Sequence, residues 1–450
     1  MTEPAPAAGA PAARGGFVIR GGHVMTMDRD LGDIAGGDVH VIGGVIAAVG
    51  SGLAAHGVDT IDARGMIVLP GLVETHWHMW NSLLRCMSGE DPAYGYFRTS
   101  TGLGRVFLPD DMYQGTRLAC AEAIYSGITS VHDWCHNVLG PEHVEAGLRA
   151  LRESGLRGRF SYGWAAGQPN DQPMDLAGLR RLCGEWDRHS NTGLLSLGMA
   201  WRGPGGSNPA MVVPEAIYRA EIETARGLDL PVTVHACGPR SAMGQISRLS
   251  EAGLLGPDLQ VVHANMATDA EIRCLAEAGA AVTLSPATEL RIGYGFPKTS
   301  ELLNAGIPTG LSVDTTVLAG NADMFAIMKM TQGIENARAE SEFELTSRRA
   351  LELATIEGAR SMGMADHVGS LSPGKRADII MVSTRSPNLA VFTDPAHMLV
   401  AAAQPANVDT VIVDGRVLKR SGVLTVLDPV QIAQAAGAAL TAVRARAGWW

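Results

Sequence analysis

The stretch LPGLVETHWHMW, residues 69–80, runs from a short apolar segment into His76 and His78, two imidazoles two residues apart. On an extended strand residues i and i+2 share a face, so both rings point one way and Trp77 the other. His235 in LPVTVHA, His263 in LQVVHAN and Asp314 in PTGLSVD also stand at the ends of short apolar runs. Imidazole nitrogen and carboxylate oxygen are donors that borderline-soft dications such as Zn²⁺ accept, with a position left open for water. Water on such an ion ionises near neutral pH, so the chemistry offered is hydrolysis by an activated water. Five polar groups satisfied one by one in a core is the plainer reading. Five at matching strand ends of an apolar lining favour a shared ion.

The elements that must position these side chains are legible as a series. GLVETHWH, ITSVHDW (128–134), RFSYGWA (159–165), LLSLGMAW (194–201), LPVTVHA (230–236), LQVVHAN (259–265), AAVTLSP (280–286) and PTGLSVD (308–314) make eight apolar runs. Helical patterns such as HVEAGLRALRESG separate them. Repeated strand–helix units of this spacing predict an α/β fold, a (β/α)8 TIM barrel over 70–366, whose active site lies at the C-terminal ends of its strands. All five candidate residues are placed at that end. A long connection after the first strand, within 79–108, is expected as a lid or pocket wall. Gly-broken β runs before Leu69 and again in GSLSPGKRADIIMVS and DTVIVDGRVLKRSG predict a small β-sandwich domain built from both chain ends, 16–69 and 367–426. Residues 1–15, rich in Ala and Pro, are expected as a disordered tail rather than a signal peptide, and 427–450 as a closing helix.

Composition narrows the partners. Apolar residues are 46% and charged residues 18% of 450, enough for a large core. A net charge of −10 with no basic cluster argues against nucleic acid and anionic membrane. Six scattered cysteines without a CxxC are expected as reduced thiols, which places the chain in the cytoplasm. No apolar run is long enough for a transmembrane helix. The expected partner is a small-molecule substrate.

The motifs PGLVETHWH, VTVHACG, VVHANMATDAEI, GLSVDTTVLAGNADMF and GSLSPGKRADIIMV resemble the amidohydrolase superfamily. The likeness is to the branch of cytosine and S-adenosylhomocysteine deaminases and triazine chlorohydrolases, and runs from about Phe17 to Gly422. It implies a homodimer in which His76, His78, His235 and Asp314 hold one divalent ion, zinc first, with iron or manganese as alternatives. It further implies that His263 binds the water or the substrate and that Asp314 takes the water's proton. No lysine occurs in LLSLGMAWRG, so a carbamylated-lysine binuclear centre is not supported.

One departure is decisive. Deaminases of this branch carry a proton-shuttling Glu three residues after the fifth-strand His, and here Gly238 stands in its place. Loss of a general acid removes a contribution of typically ~10²–10⁴-fold. Glu289, in SPATELRIGYGFP after the seventh strand, is the candidate replacement; capping the next helix or pairing with Arg291 is the alternative. His136 is a candidate substrate contact, ahead of His132. Glu74, one layer deeper than His76, either orients an imidazole or pairs with a buried Lys or Arg. Trp80, Trp134 and Trp201, with Trp164 and the loop residues Tyr94, Tyr96, Phe97 and Phe107, suggest an aromatic mouth suited to flat heterocycles. Arg202 is a candidate clamp for a carboxylate or carbonyl. Asn321 and Asp323 read as helix caps. The function expected is metal-dependent hydrolysis of a non-peptide C–N bond, by deamination or amide cleavage, in a heterocyclic or aromatic small molecule. The alternative raised by Gly238 is a lyase, isomerase, cyclase or metabolite-binding descendant of the same barrel.

Overall fold

The computed structural model describes residues 14–54, 57–205 and 212–449. Eight parallel strands form one sheet in sequence order: Leu72–Val73, Ile128–Cys135, Arg157–Tyr162, Leu195–Trp201, Val232–Ala236, Leu259–His263, Ala281–Leu284 and Thr309–Leu311. Each is almost wholly buried, as strands covered by helices on one face and packed inward on the other must be. Helices such as Pro141–Ser154 and Asp269–Ala278 lie between them. The latter starts at a reciprocal cap: Thr268 Oγ1 accepts from Glu271 N, and Glu271 Oε2 accepts from Thr268 N.

The first and eighth strands stop short of their expected ends, and the barrel is closed beyond them by single contacts. Asp314 N donates to His76 O at 2.8 Å, and His78 N donates to Asp314 O at 2.7 Å. Below them Thr75 N and Oγ1 both donate to Leu311 O, so the seam between the last strand and the first runs from Thr75 up through the residues that carry the candidate ligands. Asp314 is also held at φ 61°, and His263 at φ 83°, left-handed values costly for side-chain-bearing residues. That departure from extended backbone ends the regular ladder at both places.

Both chain ends meet in a second, mixed sheet of nine strands. Its path runs from Val423–Leu424 through Arg416–Arg420, Val408–Val413 and Ile379–Ser383 to Met66–Pro70, then to Phe17–Met25, Asp33–Ile42 and Val45–Gly50; Asp59–Asp62 pairs with Phe17–Met25. Alternating residues such as Ile19, Val39, Val41, Ile379 and Ile412 bury its own core. The chain passes from this sheet to the barrel at Gly71, where a Cβ would stand 2.0 Å from Thr129 Oγ1, so only glycine fits. A buried ion cluster links the two below the barrel: Arg157 clamps Asp378 through Nε at 2.7 Å and Nη2 at 3.1 Å. Asp414 draws in Arg14, Arg376 and Arg416 beside it.

The expected tail falls chiefly on residues 1–13, outside the described residues; Arg14 and Gly15, assigned to it, are instead tied to Asp414 and Gly415. The closing helix, Pro429–Ala447, begins at Asp428, whose Oδ1 accepts from Val430 N and Gln431 N, and it packs on helix Pro109–Tyr125. The connection after the first strand forms the 3-10 turn Met79–Leu84 and the helix Tyr96–Gly104, which walls the barrel mouth. Among the described residues, no helix is long and apolar enough to cross a membrane.

Candidate metal centre and cavity

At the floor of the barrel mouth the structure brings together His76, His78, His235 and Asp314, with one donor atom of each lying within 4.8 Å of the others. Asp314 Oδ1 is 3.3 Å from His76 Nε2 and 3.2 Å from His78 Nε2, and His235 Nε2 is 3.2 Å from His76 Nε2. His78 Nδ1 donates to the Trp134 carbonyl at 3.1 Å, which turns its Nε2 lone pair toward the others. Burial drives the His76 pKa down to about 3 and that of His235 well below its usual value. Both imidazoles are thus neutral, as a ligand must be. Burial alone would raise the Asp314 carboxyl, but the adjoining His76 and His78 rings hold it well below the usual range. Three imidazoles and one carboxylate with donor atoms this close are a donor set that fits a divalent ion.

His263 stands beside this group, its ring 5.3 Å from that of His235. Its Nδ1 donates to Glu289 Oε1 at 3.1 Å, so the other ring nitrogen is left for the cavity. Burial opposes protonation of His263, yet the Glu289 hydrogen bond and the Asp314 and Glu289 charges raise its pKa.

Glu289 corrects the sequence reading. Its carboxylate does not line the cavity; it is fully buried behind His263. Oε1 also accepts from Ser285 N at 2.8 Å, and Oε2 from Asn265 Nδ2 at 3.2 Å. The first turn of helix Pro286–Ile292 folds the carboxylate inward, away from solvent. Glu289 meets the site only at His263 Nδ1. Glu74 departs from both expectations as well. Its Oε1 accepts from the backbone of His76 at 3.1 Å and of Val313 at 3.0 Å, and among the described residues it pairs with no imidazole, Lys or Arg side chain. Burial pushes its pKa up to about 8, so it is a neutral acid tying the first strand to the eighth.

Above the ligands opens a cavity of about 550 Å³. Trp80, Trp134, Trp164 and Trp201 line it with Tyr96, Phe97 and His136. Trp134 lies edge-on to His235, the ring centroids 4.2 Å apart, and His136 is 4.4 Å from His78. Trp77, Tyr94 and Phe107 do not line the cavity; Phe107 supports Trp80 from behind. His132 is occupied inside the barrel by Thr75 O and Ser161 Oγ. Arg202 borders the cavity, but its Nη2 meets Glu221 Oε1 at 2.5 Å, it donates to the Pro169 and Gln172 carbonyls, and its guanidinium lies over the Trp164 ring. Its charge is thereby spent on the loop rather than offered as a clamp. Asp323 caps helix Met324–Arg338 as expected, through Ala326 N. Two residues escaped the sequence reading: Gln245, whose Oε1 accepts from Cys237 N at 2.8 Å and sets the loop after His235, and Tyr294 beside His263. The available signal for Tyr294 was an aromatic bracketed by glycines after the seventh strand.

The amidohydrolase family profile matches residues 67–418. The 5'-deoxyadenosine deaminase of Methanothermobacter thermautotrophicus is 31% identical over 427 residues, 92% of this chain and 96% of that protein. The 5-methylthioadenosine/S-adenosylhomocysteine deaminase of Syntrophobacter fumaroxidans is 28% identical over 90% of this chain and 93% of its own length. Among solved structures, a zinc-bound adenosine deaminase from Xanthomonas campestris superposes with a TM-score of 0.84 at 24% identity, covering 97% of this chain and all of that one. A zinc-bound atrazine chlorohydrolase from Arthrobacter aurescens gives 0.82 at 24% identity, covering 94% and 100%. These two likenesses establish a shared fold.

Proposed function

Because the chain belongs to the amidohydrolase family, we propose that it is a metal-dependent hydrolase that deaminates an uncharged, planar nitrogen heterocycle. The observation that carries this reading is the meeting of three imidazoles and a carboxylate at the floor of an aromatic-walled cavity. An ion in that site supplies Lewis acidity and a water nucleophile at neutral pH. We assign one ion per chain, zinc, to His76, His78, His235 and Asp314. Asp314 accepts the proton of the attacking water and returns it to the departing nitrogen. His263, whose Nδ1–H is held by Glu289 and whose raised pKa favours the doubly protonated ring, presents its Nε2–H to the oxygen that gains charge. Trp134, Trp164 and Trp201 close over the faces of the ring and exclude bulk water; Trp80 and His136 bound its edge.

The cavity selects against charge. Asp314 is the single carboxylate among its described lining residues, and the Arg202 guanidinium is already neutralised. A flat neutral ring gains from stacking there, whereas a phosphate or a free carboxylate finds no unpaired Lys or Arg among the described lining residues. The deaminase names of the relatives support hydrolysis over a non-hydrolytic descendant. The six unpaired cysteines support a cytoplasmic protein. The homodimer rests on the family resemblance, and light scattering on the purified chain tests it.

Metal-loaded protein incubated with aminopurines, aminopyrimidines and aminotriazines is expected to release ammonia from at least one class. Turnover of none, with metal bound, would overturn the reading.

A further inference from the structure

Attack of water on a ring carbon drives an electron pair onto the adjacent ring nitrogen, and the reaction gains from a donor placed there. Trp80 Nε1, Trp134 Nε1, Trp201 Nε1 and His136 Nδ1 lack partners among the described residues but expose no surface to the cavity, and several of its hydroxyl and amide groups are already engaged. Thr288 Oγ1 donates to Val313 O, Gln245 holds Cys237 N, and the Tyr96 hydroxyl is bound to Asn81 and Ser100. Tyr294 differs: among the described residues no hydrogen bond engages its hydroxyl, while the charges nearest to it are Asp314 and Glu289. Burial, with those charges, raises its pKa, so the phenol keeps its proton.

Its position is built from both sides. A Cβ placed on Gly238 would come 2.7 Å from Tyr294 Cε2 and 2.9 Å from Cδ2, closer than side-chain carbons approach. Gly238 has no left-handed φ, so glycine there accommodates the phenol ring and not a turn. The ring meets His263 edge-on, 5.1 Å between centroids at 87°. Tyr294 N donates to Glu289 O at 2.8 Å, and the flanking Gly293 and Gly295 adopt φ of 78° and 96° that fold the loop inward.

We propose that Tyr294 is a catalytic residue that donates a hydrogen bond to the substrate's ring nitrogen, from the volume that a side chain at position 238 would fill. The inference rests on the deaminase reading above. As the water oxygen bonds to the ring carbon, the water's proton passes to Asp314. The C=N electron pair then settles on the ring nitrogen beneath the Tyr294 hydroxyl. Asp314 next protonates the amino group, which leaves as ammonia with its bonding pair while the ring C=N bond re-forms. The phenol neither gains nor loses a proton.

Tyr294→Phe keeps the ring that fills the space and removes the donor alone. With the best amino-heterocycle of the panel, kcat is expected to fall by about 100-fold with KM within about threefold. A readout that needs no turnover accompanies it: purine titrated into metal-loaded protein and followed by tryptophan fluorescence should bind about fivefold more weakly to the variant. Equal kcat and equal purine affinity in both proteins would overturn the role of Tyr294 and leave the deaminase reading standing. A wild-type protein that turns over no ring, yet binds purine more tightly than Tyr294→Phe, would overturn the deaminase reading and keep Tyr294 as a ring-nitrogen donor. Wild-type protein that neither turns over the panel nor binds purine would overturn both.

Discussion

Glu289→Gln isolates one charge with little change of shape. In the wild type the carboxylate takes His263 Nδ1–H and Ser285 N–H on Oε1 and Asn265 Nδ2 on Oε2. A glutamine carbonyl placed at Oε1 keeps the first two bonds. Its amide then faces Asn265, whose Oδ1 has no partner among the described residues, and a flip of that amide accepts the new N–H at the cost of the 3.4 Å bond from Asn265 Nδ2 to Gly295 O. The fold therefore survives, and what disappears is the charge that orients His263 and favours positive character on it. A hydrogen bond to a charged group contributes about 1.5–3 kcal/mol. At 1.36 kcal/mol per decade this becomes a loss of roughly 10- to 150-fold in kcat if the whole term is expressed in the transition state. KM should change little, because the stacking walls are untouched. The assay is ammonia release on metal-loaded protein, with metal content measured in parallel; content should be unchanged, since Glu289 is no ligand. Wild-type kcat in the glutamine variant would show that the Glu289 charge has no part in positioning His263.

Other perturbations test separate links. Asp314→Asn removes both a donor and the base: ammonia release should fall by more than about 1,000-fold and metal retention on dialysis should drop, and a variant that keeps both would refute its dual role. Chelation of the wild type should lower Tm by several degrees, because an ion that binds only the folded chain stabilises it; an unchanged Tm would argue that the four donors hold no ion. Arg202→Met strands a buried Glu221 carboxylate, so chemical denaturation should show a loss of about 3 kcal/mol while kcat moves less than about threefold. A rise in KM without loss of stability would instead make Arg202 the substrate clamp that its sequence position suggested. Asp378→Asn leaves Arg157 buried without its clamp and should cost about 3–5 kcal/mol, read as a lower denaturant midpoint at unchanged metal content.

What was legible in the sequence was what local periodicity encodes. A two-residue spacing put His76 and His78 on one face, and the run of βα units placed His235, His263 and Asp314 at the same barrel end, because alternation and strand order are written along the chain. Contacts made across the barrel are not written there. Glu289 and His263 belong to different strand–helix units, and nothing in SPATELRIGYGFP says whether its acid turns outward or folds back. The exclusion of a side chain at 238 by Tyr294 is of the same kind, a matter of volume between two loops. Arg202 misled because a guanidinium beside a pocket tryptophan reads alike whether it is free or bound up with a helix residue such as Glu221.

The backbone at the site was equally hidden, and it shows why closure and catalysis are one device. A non-glycine residue at positive φ carries strain of order 1–3 kcal/mol, and both His263 and Asp314 are held that way. Strain of this size persists only where the surroundings leave the chain no alternative. Around Asp314 that constraint is explicit: its N–H and C=O are bonded to His76 and His78, the residues it joins at the ion, and Glu74 ties the backbone of Val313 to that of His76 just below. The upper end of the seam between the last strand and the first thus holds the Asp314 carboxylate toward both imidazoles. A change that loosened the seam would free the carboxylate before it unfolded the barrel, so metal affinity should weaken in seam variants such as Glu74→Leu at temperatures where the far-ultraviolet circular dichroism is still native. Metal loss and unfolding that coincide in such a variant would show that the seam and the ligand set are not coupled in this way.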